Sequence, residues 1–410
     1  FEQALQASSE LFRSKLWLAN VAVALVAGFS ALRVVGTQRQ PFYAYATPIW
    51  IGTCIIYGWS AASLIWTPSF EKAYEIITWG LPYFVVFILI APVLLQGIES
   101  VGSYARALLY GGTLIVLLLV LNPEFTATGG RFGFQIEGQV RSSPLAIGEL
   151  GGTLIIVAAL LRQGPHQALL NVARIAAFTM GAVLALQSGS RGQLLFAVVV
   201  ALTFYPISKK LKSLPTFIGT VIGAAVIVPA VFFVAQAVLL SEGTQRWDAV
   251  KMEEGVSIRF ANALDLLGAF VTNPAAWIFG LGANGFSSIS ATTAGEGYVH
   301  NICVETISEL GLPMFALFAL LLAATTRQAF WLFRRYSDSP RERASLSVLL
   351  ALAAYQFLLV NKQGNLWSNG MVFVYMIFIA KLHKLTQTDD DEILAIESGE
   401  SHDAEPIAYS

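Results

Sequence analysis

The sequence predicts an all-α, polytopic integral membrane bundle. The 410 residues are 56% hydrophobic and only 12% charged, with a mean hydropathy of +0.64. A soluble domain of this length carries roughly a quarter charged residues. The apolar residues are also gathered into runs near the ~20 residues that cross ~30 Å of hydrocarbon. In lipid such runs must be helical, because every backbone polar group needs a partner inside the segment.

Eleven hydrophobic spans are expected, at roughly 16–35, 47–66, 75–95, 104–122, 145–161, 170–187, 192–207, 215–240, 301–326, 343–360 and 370–384. The clearest are Ile76 to Leu95 and Phe217 to Leu240, which are nearly unbroken apolar stretches. Residues 1–384 are therefore assigned to the transmembrane bundle and 385–410 to a tail. The net charge of −1 hides this division, since no Lys or Arg follows Lys384 while eight acids do, from Asp389, Asp390, Asp391 and Glu392 to Glu405. Such a tail reads as disordered and solvated. Without it the body is basic, which suits anionic lipid or a phosphorylated substrate, or serves only to set topology.

Lys and Arg in short loops mark the cytoplasmic side. The turn Ser208-Lys209-Lys210-Leu211-Lys212 and the connection bearing Arg327, Arg334, Arg335, Arg341 and Arg343 both carry this signal. They fall on one side if two spans separate them, and the acidic tail joins them there. The opposite face collects three loops: 123–144, the tight turn 188–192 and the long stretch 241–300. Loops of that last length are usually functional. Within it, Ile258, Ala261, Leu264 and Leu267 recur at helical spacing, as in an amphipathic helix lying on the membrane surface. The basic residues Arg13 and Lys15 argue for a cytoplasmic N-terminus, against the parity of eleven spans; a further or truncated helix near the start is expected to reconcile them.

Candidate chemistry gathers on the outer face. Of the four histidines, only His300 lies there, at the junction of the long loop and the ninth span. It reads either as an interfacial histidine with a satisfied hydrogen bond or as a proton-transfer group near neutral pH. Arg191 stands in the polar break Ser188-Gly189-Ser190-Arg191-Gly192. It is either a snorkelling helix-end arginine or a bidentate phosphate ligand. Arg259 opens the amphipathic segment and reads as an interfacial anchor or a headgroup contact. Glu149 lies inside the fifth span, where an acid is functional by default or marks the wet end of the helix. Glu305 and Glu309 are expected to pair with another helix rather than with His300. Gly280-Leu281-Gly282-Ala283-Asn284-Gly285 matches G-x-G-x-x-G, but without a preceding strand it reads as a tight turn and not a dinucleotide site. The two cysteines, Cys54 and Cys303, imply neither a disulfide framework nor a metal set. No nucleotide-binding P-loop, HExxH or zinc spacing is present, so energy would come from the substrate or an ion gradient.

Tyr298-Val299-His300-Asn301 through Glu309-Leu310-Gly311-Leu312-Pro313 resembles the signature of the O-antigen ligase and polymerase family, a His-Asn pair with a glycine ten residues beyond the Asn. The Ser190-Arg191 turn, Arg259, and Pro274 followed by Gly280-Leu281-Gly282 resemble further motifs of that family, in order. Gly133 to Pro144 resembles its earlier periplasmic segment, with Ser142-Ser143-Pro144 in place of the usual Asn-Pro-Asn. The likeness spans about residues 47–384.

The resemblance implies a bundle of about 11–12 transmembrane helices of the lipid-linked, GT-C-like glycosyltransferase type, with one large periplasmic loop at 241–300 and more helix upstream of 47. It implies a bacterial inner-membrane enzyme whose site faces the periplasm. A glycan would pass from undecaprenyl pyrophosphate to a hydroxyl of a saccharide or lipid A–core acceptor, with inversion and without metal or other cofactor. His300, Arg191 and Arg259 would be catalytic. Asn301, Arg141 and Arg131 would bind substrate. The partners implied are the lipid-linked donor, the acceptor, the bilayer and a chain-length regulator, and no nucleic acid. A transporter or flippase for an anionic lipid-linked substrate is the alternative from a different class.

Overall fold

The computed structural model describes residues 17–38, 46–121, 125–128, 131–136, 139–140, 144–161, 166–189, 191–209, 249–289, 299–363 and 365–397, with isolated positions at 215, 218, 219 and 222. In chain order its helices are α1 (Trp17–Gln38), α2 (Pro48–Ala62), α3 (Phe70–Tyr83), α4 (Ile98–Leu121), α5 (Pro144–Leu160), α6 (Gln167–Gln187), α7 (Arg191–Lys209), α8 (Ala249–Thr272), α9 (Ala276–Phe279), α10 (Phe286–Ile289), α11 (Ile302–Leu310), α12 (Leu312–Arg335), α13 (Pro340–Val360) and α14 (Met371–Glu397). Among the described residues seven helical segments are long and apolar enough to cross a membrane, and Val21–Thr37 and Pro144–Leu160 are shorter apolar helices. The chain is a helical, multi-pass membrane bundle. Apolar side chains such as Phe29, Leu121, Ile175, Leu320 and Phe330 stand exposed on its perimeter, as on a surface solvated by lipid.

Local sequence explains the breaks. Thr47 caps α2, its hydroxyl accepting from the Trp50 N–H at 3.2 Å, and Pro48 occupies the first turn where no N–H is needed. In α3 the ring of Pro82 removes one helical hydrogen bond, and the helix continues through a π-helical stretch, Phe84–Ile90, and a 3₁₀ turn, Ala91–Leu94. The carbonyls of Pro92 and Val93 also accept from the buried ammonium of Lys381.

The densest packing joins α5, α6, α7 and α13. Small residues make it possible. A Cβ on Gly151 would lie 2.5 Å from the Gly181 carbonyl oxygen, and one on Gly181 would lie 2.7 Å from that of Gly151. The two backbones touch directly, which is how helices associate where no hydrophobic effect drives them.

Hydrogen bonds sort the loops to two ends. At one end Ser208 donates to the Leu160 carbonyl at 2.8 Å, and the Tyr336 and Thr386 hydroxyls meet at 2.8 Å. This end also carries the arginines of the 327–343 connection. At the other end Thr67 donates to the Ala283 carbonyl, the Trp59 indole to the Leu310 carbonyl and the Trp367 indole to the Ser60 hydroxyl.

Two expectations need correction, and two observations add to the sequence reading. The predicted ninth span, 301–326, is two helices: Gly311, at φ +88, separates the short α11 from α12, which then runs to Arg335. The tail is not wholly irregular, since α14 continues through Glu397; no Gly or Pro interrupts it before Gly399. The loop 123–144 holds three short antiparallel strands, β1 (Phe125–Thr128), β2 (Arg131–Ile136) and β3 (Gln139–Val140), on an otherwise helical bundle. Their register pairs Thr128 with Arg131 and Gln135 with Val140. The amphipathic helix is present as α8: Ile258 and Leu264 of its apolar stripe are exposed, as a lipid-facing stripe would be, while Asn262, Leu266 and Phe270 on another face are buried. The predicted span 215–240 lies almost wholly outside the described residues.

Candidate functional site

His300 stands in the turn that precedes α11. It is buried, and its backbone is left-handed at φ +61, a conformation uncommon outside glycine. The turn is held from both sides. Asn301 caps α11, its side-chain oxygen accepting from the N–H groups of Cys303 and Val304, each at 3.0 Å. Val299 packs with Leu266 of α8 and Phe286 of α10 in a small buried cluster.

That cluster brings α8 to the histidine. Arg259, Asn262, Leu266 and Phe270 recur at three- and four-residue spacing and so share one face. Arg259 is half-buried, two turns or ~10 Å along the axis from Leu266. Asn262, almost fully buried on the same face, was not singled out in the sequence. The signal was a polar residue one turn from Arg259 in a surface helix.

The glycine motif has a backbone purpose. Leu281 and Gly282 donate their N–H groups to the carbonyls of Ser308 and Glu309, both at 2.9 Å, satisfying the last turn of α11. A Cβ on Gly280 would overlap the Glu309 carbonyl, and one on Gly311 would lie 2.5 Å from the Ile278 carbonyl oxygen. Both glycines adopt φ near +80 with extended ψ, a region open essentially to glycine alone. Gly285 closes the turn on the Gly282 carbonyl at 3.0 Å.

Glu309 locks this turn to α11. One carboxylate oxygen accepts from the Asn284 N–H at 2.8 Å and the other from the Phe286 N–H at 3.1 Å. Burial pushes its carboxyl up to about 7, against the two N–H groups that favour the charged form. Glu305, one turn earlier, accepts from the Leu366 N–H at 2.9 Å. Burial, and then the charge of Glu309, push its carboxyl well above the ordinary value. Both acids pair with other segments, as expected, though with backbone rather than with a helix side chain.

The segment 361–370, passed over in the sequence, joins the two halves of this end. Through Leu366 it holds α11. Through Lys362 and Gln363 it holds the start of α7, where Arg191 stands. The Lys362 ammonium donates to the Gln193 side-chain oxygen at 2.9 Å, and the Gln193 amide donates to that of Gln363. Gln363 donates in turn to Glu149 at 3.1 Å, and Gln356 donates to the other Glu149 oxygen at 2.7 Å. Glu149 is thus one end of a side-chain relay. On the far side of the segment, a cavity of about 560 Å³ runs between α2, α3 and α14, lined by aromatic rings including Trp79, Tyr83 and Trp367, with Glu75 and Asn365 as polar members.

No protein-family model matches this chain, and no curated protein matches it either.

The predicted site residues divide accordingly. His300, Asn301 and the face of α8 bearing Arg259 come together through shared packing. Arg191 opens α7, tied to α11 by way of 361–370; its side chain lies outside what is described. Arg131 begins β2, again without a described side chain, and Arg141 lies outside the described residues. Asn301 departs most from expectation: its oxygen caps a helix, leaving only the amide nitrogen for any other contact.

Proposed function

We propose that this chain is a membrane glycosyltransferase that moves a glycan from a polyprenyl pyrophosphate to an acceptor hydroxyl on the non-cytoplasmic face. The observation that carries the reading is the convergence just described, at the end of the bundle opposite the arginine-rich connection. There a buried histidine follows Val299, which packs on Leu266 of α8, the helix that carries Arg259 two turns away, and a polar segment links this end to the start of α7 at Arg191.

In this reading Arg191 and Arg259 hold the donor pyrophosphate and stabilise charge growing on the leaving group. His300 takes the proton of the acceptor hydroxyl as oxygen attacks the anomeric carbon. The bond to pyrophosphate breaks with inversion, and the lipid pyrophosphate departs with the electron pair. Asn301 positions His300 by capping the next helix. The donor supplies the energy, so no cofactor is drawn into any step. The enzyme is either an O-antigen ligase, acting on lipid A–core, or a polymerase of O-antigen or exopolysaccharide, acting on another lipid-linked repeat. Both share this donor chemistry. The setting is the bacterial inner membrane, with the arginine-rich end cytoplasmic.

A second reading, transport of an anionic lipid-linked substrate, draws on one observation: Glu149 lies in the apolar helix α5 and engages a polar relay.

The test gives purified protein a lipid-pyrophosphate oligosaccharide alone, then with lipid A–core, with chelator throughout and His300→Ala as control. Longer lipid-linked glycans, or glycosylated core, from wild type alone support the reading. No product under either condition counts against it and in favour of transport.

A further inference from the structure

The relay at the start of α7 assigns a role to a residue outside the set above. Its polarity is forced. A lysine ammonium can only donate and an ionised carboxylate can only accept. The two amides between them must therefore point one way, from Lys362 through Gln193 and Gln363 to Glu149. Gln193 and Gln363 are buried, so neither amide is free to turn into solvent. The acid does not meet the ammonium; it meets two amide N–H groups. The acid thus orients the lysine through the two amides.

Gly192 shows where that lysine lies. A Cβ there would fall on the side chain of Lys362, overlapping its ammonium and the adjoining carbons. The lysine crosses the backbone of the first turn of α7, one residue from Arg191. A side chain at 192 would displace the lysine from this crossing.

We propose that Lys362 is a further cationic contact for the phosphate head of the lipid donor, beside Arg191, with Gln193, Gln363 and Glu149 as positioning residues. The ligand class is a polyprenyl pyrophosphate. This inference rests on the glycosyltransferase reading for its biological meaning, but its test does not require transfer.

The full chain in lipid nanodiscs is titrated with undecaprenyl pyrophosphate and, separately, with undecaprenyl monophosphate. Lys362→Gln is expected to weaken pyrophosphate binding roughly ten- to hundredfold, the worth of one charge-assisted hydrogen bond. Lys362→Arg should retain most of it, and the monophosphate should lose less. Binding by Lys362→Gln equal to wild type overturns the proposal. Should that variant not fold, acylation of lysines in the wild-type chain replaces it. Undecaprenyl pyrophosphate should then slow modification of Lys362 specifically, and an unchanged rate overturns the proposal. Glu149→Gln should quicken acylation of Lys362 in the free protein, as loss of positioning requires. Lys362-dependent binding in a protein that never transfers sugar upholds this inference and overturns the enzyme reading. Transfer with Lys362-independent binding does the reverse.

Discussion

Replacing Asn301 separates its structural role from a substrate role. Its side-chain oxygen accepts two N–H groups of the first turn of α11. Asn301→Ala leaves both without that acceptor, and loss of an N-cap costs about 0.5–2 kcal/mol. With two donors affected in a half-buried site, the upper part of that range is expected, about 1–2 kcal/mol. At ~1.4 kcal/mol per tenfold, local opening of the first turn should rise roughly five- to thirtyfold. Asn301→Asp keeps an acceptor oxygen and adds charge that favours a helix N-terminus, so it should cost little. Hydrogen exchange of the amides of Cys303 and Val304, read in nanodiscs, measures the effect directly. The expected order of protection is wild type and Asn301→Asp together, with Asn301→Ala well below, and transfer activity following the same order. Loss of activity in Asn301→Asp with exchange unchanged would refute the cap as the reason for this residue and show that the amide nitrogen holds substrate.

Glu309→Gln should loosen the 280–286 turn by about 1–3 kcal/mol, because one of its two N–H donors then faces an amide N–H; faster exchange at Asn284 or Phe286 is the readout. The fold should also respond to pH: a carboxyl raised from 4.5 to about 7 by burial stabilises the fold below pH 4.5 and gives this up as pH rises through about 7, so resistance to unfolding should fall across that window. Gly280→Ala and Gly311→Ala should each cost about 2–5 kcal/mol, combining a glycine-only backbone with overlap on a carbonyl, and should sharply reduce the folded yield. Gly152→Ala places a methyl group on the Tyr355 hydroxyl and should cost about 1–3 kcal/mol in thermal or denaturant unfolding. Tyr355→Phe should suppress it; equal loss in the double variant would show that the clash is elsewhere.

The helical spans were legible because a run of apolar residues in lipid has one solution. Which face of a helix looks inward was not, because lipid and protein core are equally apolar. The stripe of Ile258 and Leu264 on α8 therefore pointed outward, while Asn262 went in with Leu266. The break at Gly311 was marked by a glycine and a following Pro313, the ordinary signs of a helix end. It was overridden by the continuous apolar pattern on either side. His300 was visible as the one histidine in the right loop, and Asn301 carried the mark of an N-cap. The relay was not legible at all. It joins positions 149, 193, 356, 362 and 363, which meet only once α5, α7 and α13 are packed, and each glutamine alone is an unremarkable polar residue.

The most direct measurement follows both ends of the donor at once. Donor labelled separately in its lipid and in its glycan is supplied to the reconstituted protein with acceptor. One lipid pyrophosphate released for each glycan joined, by wild type and not by His300→Ala, is the predicted result. Movement of intact donor across the bilayer with its glycosidic bond unbroken would contradict the proposed function and establish transport.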